Sequence, residues 1–151
     1  MKQATAIEKS SATISGSFAG RAVTIKAEFE QVTVSGDSEK LRVIVDNLLS
    51  NALRYSDPGG TVTVRTATHD DAALLTISDT GIGINPEDLP HIYERFWRSE
   101  KSRARVSGGT GIGLAIVREL VRAHDGQIEV QSTAGAGTRF EVRLPLGTLR
   151  P

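Results

Sequence analysis

The spacing of apolar residues changes along this chain of 151 residues, and that change limits the folds it can form. Residues 21–29 alternate apolar and polar side chains, as expected of a strand with one buried face. After Asp37, a predicted N-cap, the apolar residues follow the spacing of a helix with one buried face: Leu41, Ile44, Val45, Leu48, Leu49 and Ala52. Strands and one-sided helices in one chain must bury these faces against each other.

The remaining patterns predict five further strands and two further helices. The strands are expected at residues 32–34, 61–67, 73–79, 127–132 and 137–144, with hairpin turns at 69–71 and 134–136. A short helix is expected from residue 87 to about 96, with Pro86 at its first position, and a longer one from about 111 to 124. Together these elements predict an α+β fold, a two-layer α/β sandwich whose mixed, mostly antiparallel sheet is covered on one face by helices.

Composition excludes several classes of function. Lysine plus arginine and aspartate plus glutamate both number 18, so no net charge attracts nucleic acid, and we expect no nucleic-acid partner. The absence of cysteine excludes disulfide scaffolds and thiol nucleophiles. No apolar run is long enough to span a membrane. Residues 1–20 are expected to be a linker or the remnant of a preceding segment, with one domain at residues 21–151.

Glycine is concentrated in three short segments of the chain's second half. Nine of the fifteen glycines lie between Gly81 and Gly137, mainly in DTGIGI (79–84), GGTGIGL (108–114) and GAGT (135–138). Glycine lets a backbone approach a ligand closely, and the second segment ends where a helix is expected to start. These segments therefore predict phosphate binding. They lack the Lys-Ser/Thr of a P-loop and the G-x-G-x-x-G of a dinucleotide fold, which excludes both.

The first helix carries a polar stripe beside its apolar face. Asn47, Asn51, Arg54 and Tyr55 are spaced i, i+4, i+7 and i+8. An asparagine amide oxygen is a hard neutral ligand that suits Mg²⁺ beside phosphate oxygens. On its own, however, such a stripe more often consists of partly exposed helix residues, and only the glycine segments favour a functional role.

Five motifs in order give the chain a specific resemblance. DNLLSNALRYS, DTGIGI, ERFWR, GGTGIGLAI and GAGTRF are similar to the N, G1, F, G2 and G boxes of histidine kinase catalytic domains, which belong to the GHKL ATPase superfamily. The resemblance extends over about residues 32–145 and implies the Bergerat, or GHKL, ATP-binding fold with a mobile lid at about 86–110. It also implies binding of ATP and Mg²⁺.

The resemblance assigns roles residue by residue. Asn51 would be the Mg²⁺ ligand and, with Asn47, the catalytic pair, while Asp79 would accept a hydrogen bond from the adenine amino group. The full expected ATP site contains Asn47, Asn51, Arg54, Tyr55, Asp79, Gly81, Gly83, Ile84, Arg98, Gly109, Thr110, Gly111, Gly113, Leu114 and Thr138. Superfamily members that hydrolyse ATP carry a water-activating glutamate at the position of Asn47, so this site is expected to hold ATP without hydrolysing it.

The expected phosphoryl acceptor is absent from this sequence. None of the three histidines lies in a motif of the H-E-x-R-x-P kind that carries the family's acceptor. The resemblance therefore implies a fragment of a two-component sensor kinase whose partner is a separate histidine-bearing dimerisation domain, with a response regulator acting later. It further implies a cytoplasmic domain of a protein anchored in the bacterial plasma membrane.

Three alternatives remain open at this point. Two are enzymes of the same fold: a serine kinase acting on an anti-sigma antagonist, and a mechanochemical ATPase of the gyrase or chaperone type. Asn47 and the ERFWR motif disfavour both. The third is a nucleotide-sensing module that binds ATP but no longer transfers phosphate.

Overall fold

The computed structural model describes residues 3–7, 10–18, 21–94 and 113–147. These residues form eight strands, two α-helices and one short 3₁₀-helix. The strands are β1 (Gln3–Ile7), β2 (Ser10–Phe18), β3 (Arg21–Phe29), β4 (Val32–Gly36), β5 (Gly60–His69), β6 (Ala72–Asp79), β7 (Gln127–Thr133) and β8 (Gly137–Pro145). The α-helices are α1 (Ser38–Tyr55) and α2 (Gly113–Ala123), and the 3₁₀-helix is Leu89–His91.

Six strands form one mixed sheet in the order β2-β3-β5-β6-β8-β7. Only β3 and β5 pair in parallel, while the other neighbouring strands of this sheet are antiparallel. β1 and β4 form a separate antiparallel pair. The prediction of a mixed, mostly antiparallel sheet is confirmed.

The core lies between the sheet and the two α-helices. α1 buries Ile44, Leu48 and Ala52, as its apolar spacing predicts. α2 contributes Val117 and Val121, and the sheet contributes a facing layer that includes Val62, Val64, Ile77, Phe140 and Val142. The two-layer architecture is therefore confirmed.

The opposite face of the sheet carries exposed ion pairs. Arg65 and Glu28 lie 3.2 Å apart on neighbouring strands. Glu141 lies 3.3 Å from Arg139 and 3.7 Å from Arg143. Pairs this exposed contribute little to stability, about 0–1 kcal/mol each. The strands alternate apolar and polar side chains because one face of the sheet is buried and this face is exposed.

A capping motif lies at the start of α1 and another at the end of α2. The Asp37 carboxylate accepts hydrogen bonds from the amides of Glu39 and Lys40, as an N-cap does. At the end of α2, the Gly126 amide bonds the Val121 carbonyl and the Asp125 amide bonds the Arg122 carbonyl. This is a Schellman motif, in which Asp125 rather than the following glycine adopts the left-handed conformation, with φ 59°.

Two regions differ in local structure from the simplest expectation. Residues 1–20 are predicted to be a linker or the remnant of a preceding segment, and the structure describes β1 and β2 there, paired with β4 and β3. Small and polar residues dominate both strands, so their alternation is weak in the sequence. The placement of a domain boundary at residue 20 stays a prediction.

The helix expected from residue 87 is also different in the described part. Residues 85–94 turn by i to i−3 bonds of 2.9 Å, and only Leu89–His91 form a 3₁₀-helix. Pro90 lacks the N–H that an α-helix would direct at the carbonyl of Pro86, and it disfavours helical geometry at Leu89. Residues 95 and 96 of the expected helix lie outside the described residues.

His124 links the two α-helices in a way that the sequence does not reveal. It is buried, with 7% of its surface exposed, just beyond α2. Its Nε2 accepts a hydrogen bond from the Asp37 amide at 3.2 Å, and its Nδ1 lies 2.8 Å from the Leu120 carbonyl. Gly36 makes room for the ring, because a Cβ there would overlap His124. The end of α2 is therefore tied to the start of α1.

Replacing His124 with phenylalanine should destabilise the domain. The His124→Phe variant keeps a ring but leaves the Asp37 amide without its acceptor, so the free energy of unfolding should fall by about 1–3 kcal/mol in urea denaturation. The control is His69→Phe, because the His69 side chain is 62% exposed and the change there should stay within about 0.5 kcal/mol. Equal losses in the two variants would contradict this role for His124.

Candidate functional site

The candidate site is built around Asp79, the last residue of β6. Its neighbours in the sheet are Val62 of β5 and Thr138 of β8. The carboxylate is partly buried, and its Oδ1 accepts a hydrogen bond of 2.8 Å from the Gly81 amide. The backbone of Thr138 forms a second hydrogen bond to it. Two backbone donors therefore fix the carboxylate at the edge of the sheet.

Burial changes the acidity of this carboxyl group. Loss of hydration raises the pKa of Asp79 from its ordinary value of 3.8 to about 6. The hydrogen bonds from Gly81 and Thr138 act in the opposite direction, and the negative charge of Asp57 raises the pKa further. The group therefore remains mainly ionised at neutral pH, so both of its oxygens can accept hydrogen bonds.

The loop after Asp79 is held by close backbone contacts on two sides. A Cβ at Gly81 would overlap the carbonyl oxygen of Tyr55, where α1 ends. The Ile82 amide donates to that same carbonyl at 3.2 Å. Gly83 has φ +69° and lies against the carbonyl of Thr133. Glycine is needed at both positions because a side chain has no space.

The final hairpin closes the other side of the site. Gly137 has φ +122°, and a Cβ there would overlap the carbonyl oxygen of Asp79. Thr138 follows it and is buried, with 8% of its surface exposed. Its Oγ1 lies 2.8 Å from Ser132 Oγ on β7. Ser132 Oγ also accepts from the Ile84 amide at 2.7 Å, so the loop and the hairpin are joined.

A second group of expected residues meets where α1 passes the start of α2. The Asn47 Nδ2 donates to the Val43 carbonyl at 2.8 Å. This bond directs the amide oxygen of Asn47 away from α1 and toward α2. A Cβ added to Gly113 would lie 2.8 Å from Asn47 Oδ1. The asparagine-rich helix and the beginning of α2 are therefore neighbours. Asn51 lies one turn beyond Asn47 along α1, between this point and Tyr55.

The other expected site residues fall into two sets. Ile84 and Leu114 are partly buried and pack against the core, while Arg54 lies in the last turn of α1. Arg98, Gly109, Thr110 and Gly111 lie outside the described residues. The same holds for residues 95–110 of the expected lid.

A polar pair joins α2 to the turn that follows the 3₁₀-helix. The Arg118 guanidinium lies 5.0 Å from the centre of the Tyr93 ring, a cation–π distance. Burial raises the pKa of Tyr93 to about 12, and the nearby charge of Arg118 partly opposes that rise. Neither residue was predicted from the sequence, because a single tyrosine and an arginine in a helix carry no distinguishing pattern.

Ser132 is a further residue that sequence reasoning missed. Its hydroxyl contacts the Ile84 amide, the Gly137 carbonyl and the Thr138 hydroxyl, with distances of 2.7, 3.0 and 2.8 Å. Alternation along β7 was the available signal, since it places Ser132 on the same face as the buried Thr138 opposite it.

The described residues contain neither a cluster of metal-ligating side chains nor a membrane-spanning helix. Within them, no three His, Cys, Asp or Glu side chains cluster so as to hold a metal ion. None of the helices among these residues is long and apolar enough to cross a membrane.

Comparison with known proteins gives consistent matches. Residues 36–148 match the family described as Histidine kinase-, DNA gyrase B-, and HSP90-like ATPase. The chain is similar to the structure of the mycobacterial sensor histidine kinase MprB, with 36% identity, a TM-score of 0.76, and 84% of this chain and 86% of that chain covered.

Curated sequences show the same relationship. Sensor histidine kinase RppB from Synechocystis is 40% identical over 116 residues, which is 77% of this chain and 26% of that protein. CusS from Escherichia coli K12 is 44% identical over 125 residues, 83% of this chain and 26% of that protein. This chain spans about a quarter of the length of these relatives.

The family match, the similarity to MprB and the order of the five motifs agree. The chain belongs to the Histidine kinase-, DNA gyrase B-, and HSP90-like ATPase family and is similar over most of its length to sensor histidine kinases.

Proposed function

We propose that this domain binds Mg-ATP with its adenine at Asp79 and transfers the γ-phosphoryl group to a histidine on a separate dimerisation domain. The observation that carries the proposal is the partly buried Asp79 carboxylate, held between a glycine loop and the final hairpin. A partly buried acceptor held in one position suits recognition of a base.

Asp79 favours adenine over guanine for a simple reason. An ionised carboxylate accepts hydrogen bonds, and the 6-amino group of adenine donates one. Guanine has an oxygen at that position, which would place acceptor against acceptor. The proposed base pocket also includes Gly81 and Thr138, whose backbones bond the Asp79 carboxylate. It is completed by residues of the adjoining helix end and loop: Tyr55, Gly83 and Ile84.

The phosphates are proposed to lie where α1 meets the start of α2. Asn51 would bind Mg²⁺ with Asn47 beside it, and Arg54 would contact phosphate. Arg98, Gly109, Thr110, Gly111, Gly113 and Leu114 are proposed to surround the triphosphate. The helix start at Gly113 adds backbone amides that attract anions.

The residues present fit Mg²⁺ that is shared with ATP. No cluster of carboxylates among the described residues offers a cage for the ion. Mg²⁺ commonly takes few protein ligands together with substrate phosphates and water, and an amide oxygen is such a ligand. Asn51 supplies such an amide one turn beyond Asn47 on α1. The NH₂ group of Asn47 is bonded to the Val43 carbonyl, so the Asn47 oxygen faces the start of α2 beside it. When bound, the ion would neutralise phosphate charge.

The proposed chemistry is a phosphoryl transfer. A nitrogen of the acceptor imidazole attacks the γ-phosphorus, the bond to the β–γ bridging oxygen breaks, and ADP leaves. The domain contributes by holding the nucleotide in position. Asn47 cannot remove a proton from water near neutral pH, so hydrolysis should be slow and the acceptor domain should receive the phosphate.

The full protein is proposed to be a two-component sensor kinase that supplies a response regulator with phosphate. We propose that this domain works in the cytoplasm and that other parts of the protein anchor it in the bacterial plasma membrane. The basis is the similarity to sensor histidine kinases several times longer than this chain.

Reconstitution tests the proposed transfer. The domain should be mixed with the histidine-bearing dimerisation domain of its own full-length protein and with ATP labelled at the γ-phosphate. We expect acid-labile label on the acceptor histidine and none when that histidine is replaced by glutamine. ATP binding without labelling would support the alternative of a nucleotide-sensing module instead.

Replacing Asp79 with asparagine should weaken ATP binding. The Asp79→Asn variant replaces a charged acceptor with a neutral amide, so affinity should fall by about 1–3 kcal/mol, or roughly 5- to 150-fold, in calorimetry. Asp71→Asn is the matched control, because Asp71 is exposed in the hairpin turn just before β6, at the opposite end of that strand from Asp79. Unchanged affinity in Asp79→Asn would refute the assignment.

The same variant should be more stable than the wild type at neutral pH. The folded-state pKa of Asp79, about 6, lies above its ordinary value of 3.8, so the folded protein binds this proton more tightly than the unfolded chain. Ionisation therefore destabilises the fold as pH rises from about 4 through 6.

At pH 7 the free energy of unfolding of Asp79→Asn should exceed that of the wild type by on the order of 1–3 kcal/mol. The difference should shrink as the pH is lowered to about 4. Urea denaturation at several pH values measures it, with Asp71→Asn as the reference for a charge lost from the surface. A difference that grows on acidification would contradict the raised pKa.

A further inference from the structure

We infer that Ser132 is a positioning residue that sets the direction of the Thr138 hydroxyl and thereby sharpens the choice of purine base. This inference rests on the proposed function, because it concerns the same pocket beside Asp79. Ser132 lies on β7, on the side of Thr138 that is away from Asp79, and acts through the Thr138 hydroxyl.

The hydrogen-bond partners of Ser132 determine which group donates. The Ile84 amide can only donate, so Ser132 Oγ is the acceptor in their 2.7 Å contact. The Gly137 carbonyl can only accept, so it takes the single hydroxyl hydrogen of Ser132 across 3.0 Å. We therefore assign Thr138 as the donor and Ser132 as the acceptor in the remaining 2.8 Å contact.

This direction has a consequence for the pocket. With its hydrogen directed at Ser132, Thr138 Oγ1 presents only lone pairs to any other neighbour. Asp79 and Thr138 are directly opposite in the sheet, so their side chains share one face. An ionised carboxylate and a hydroxyl that only accepts make this edge of the pocket an acceptor surface. Such a surface favours a purine with an amino group and disfavours one with a carbonyl oxygen there.

Loss of the Ser132 hydroxyl should release the Thr138 hydrogen. In the Ser132→Ala variant, Thr138 has no acceptor on β7, so its hydroxyl can rotate and donate into the pocket. It could then bond a carbonyl oxygen such as that of hypoxanthine. Ser132→Thr keeps the hydroxyl and suits a strand, so it should restore the original direction.

The test compares three ligands by calorimetry with the intact chain. ATP and inosine triphosphate differ at the amino or carbonyl position, and inorganic tripolyphosphate reports the phosphate region alone. We expect Ser132→Ala to reduce the ratio of ATP affinity to inosine triphosphate affinity about three- to tenfold, the equivalent of one hydrogen bond. Tripolyphosphate affinity should not change, and Ser132→Thr should recover the wild-type ratio.

A matched control and two contrary results complete the test. Gln131→Ala alters the exposed neighbour on the opposite face of β7 and should keep the wild-type ratio. An unchanged ratio in Ser132→Ala, or equal losses for all three ligands, would overturn the inference. If the wild type itself does not discriminate, the assignment of Asp79 fails as well. If it discriminates and Ser132→Ala still does, only the inference about Ser132 fails.

Discussion

Close approach of backbone to backbone at the end of β6 is the constraint on which the site depends. Gly81 lies against the end of α1, Gly83 against Thr133, and Gly137 against Asp79 itself. A side chain at any of these positions would overlap a carbonyl oxygen, and that overlap would force the backbones apart. Helix α1, the glycine loop and the final hairpin thus meet around one carboxylate. Glycine is therefore required at these positions by the packing of the protein's own backbone, whether or not the backbone there also contacts a ligand.

The same packing explains why the domain tolerates an unfavourable charge. Burial costs Asp79 hydration, and the two backbone hydrogen bonds recover only part of it, so its pKa remains raised. A residue that served stability alone would be neutral at this position. This cost fits a group kept for binding, because a pKa raised by burial is typical of functional sites. Stability therefore comes from elsewhere, chiefly from the apolar layer between the sheet and the helices.

Much of the fold could be predicted because its signals are local. Apolar spacing gave α1 and its buried face, Asp37 marked its start, and alternation gave the two hairpins. The missed features depend on distant contacts or on competing local effects. β1 and β2 have few large apolar residues, and their strand form is apparent only from pairing with β4 and β3. Pro90 outweighed a helical pattern.

The site shows the same division. Motifs predicted Asp79, Gly81 and Thr138 as site residues, since glycine and aspartate at fixed spacing carry a recognisable pattern. His124 and Ser132 were not identified, because their partners are 87 residues and up to 48 residues away in the sequence. A hydroxyl on a strand or a histidine after a helix has many ordinary explanations until those partners are known.

The central claim is that the base lies at Asp79, between the glycine loop and the final hairpin. Titration of the ¹⁵N-labelled domain with Mg-ADP, followed by amide NMR spectra, tests it most directly. The account predicts that the largest shift changes fall on Gly81, Gly83 and Thr138. Changes confined to the opposite end of the sheet, around the apolar cavity lined by Val32, Ile44 and Leu144, would contradict it.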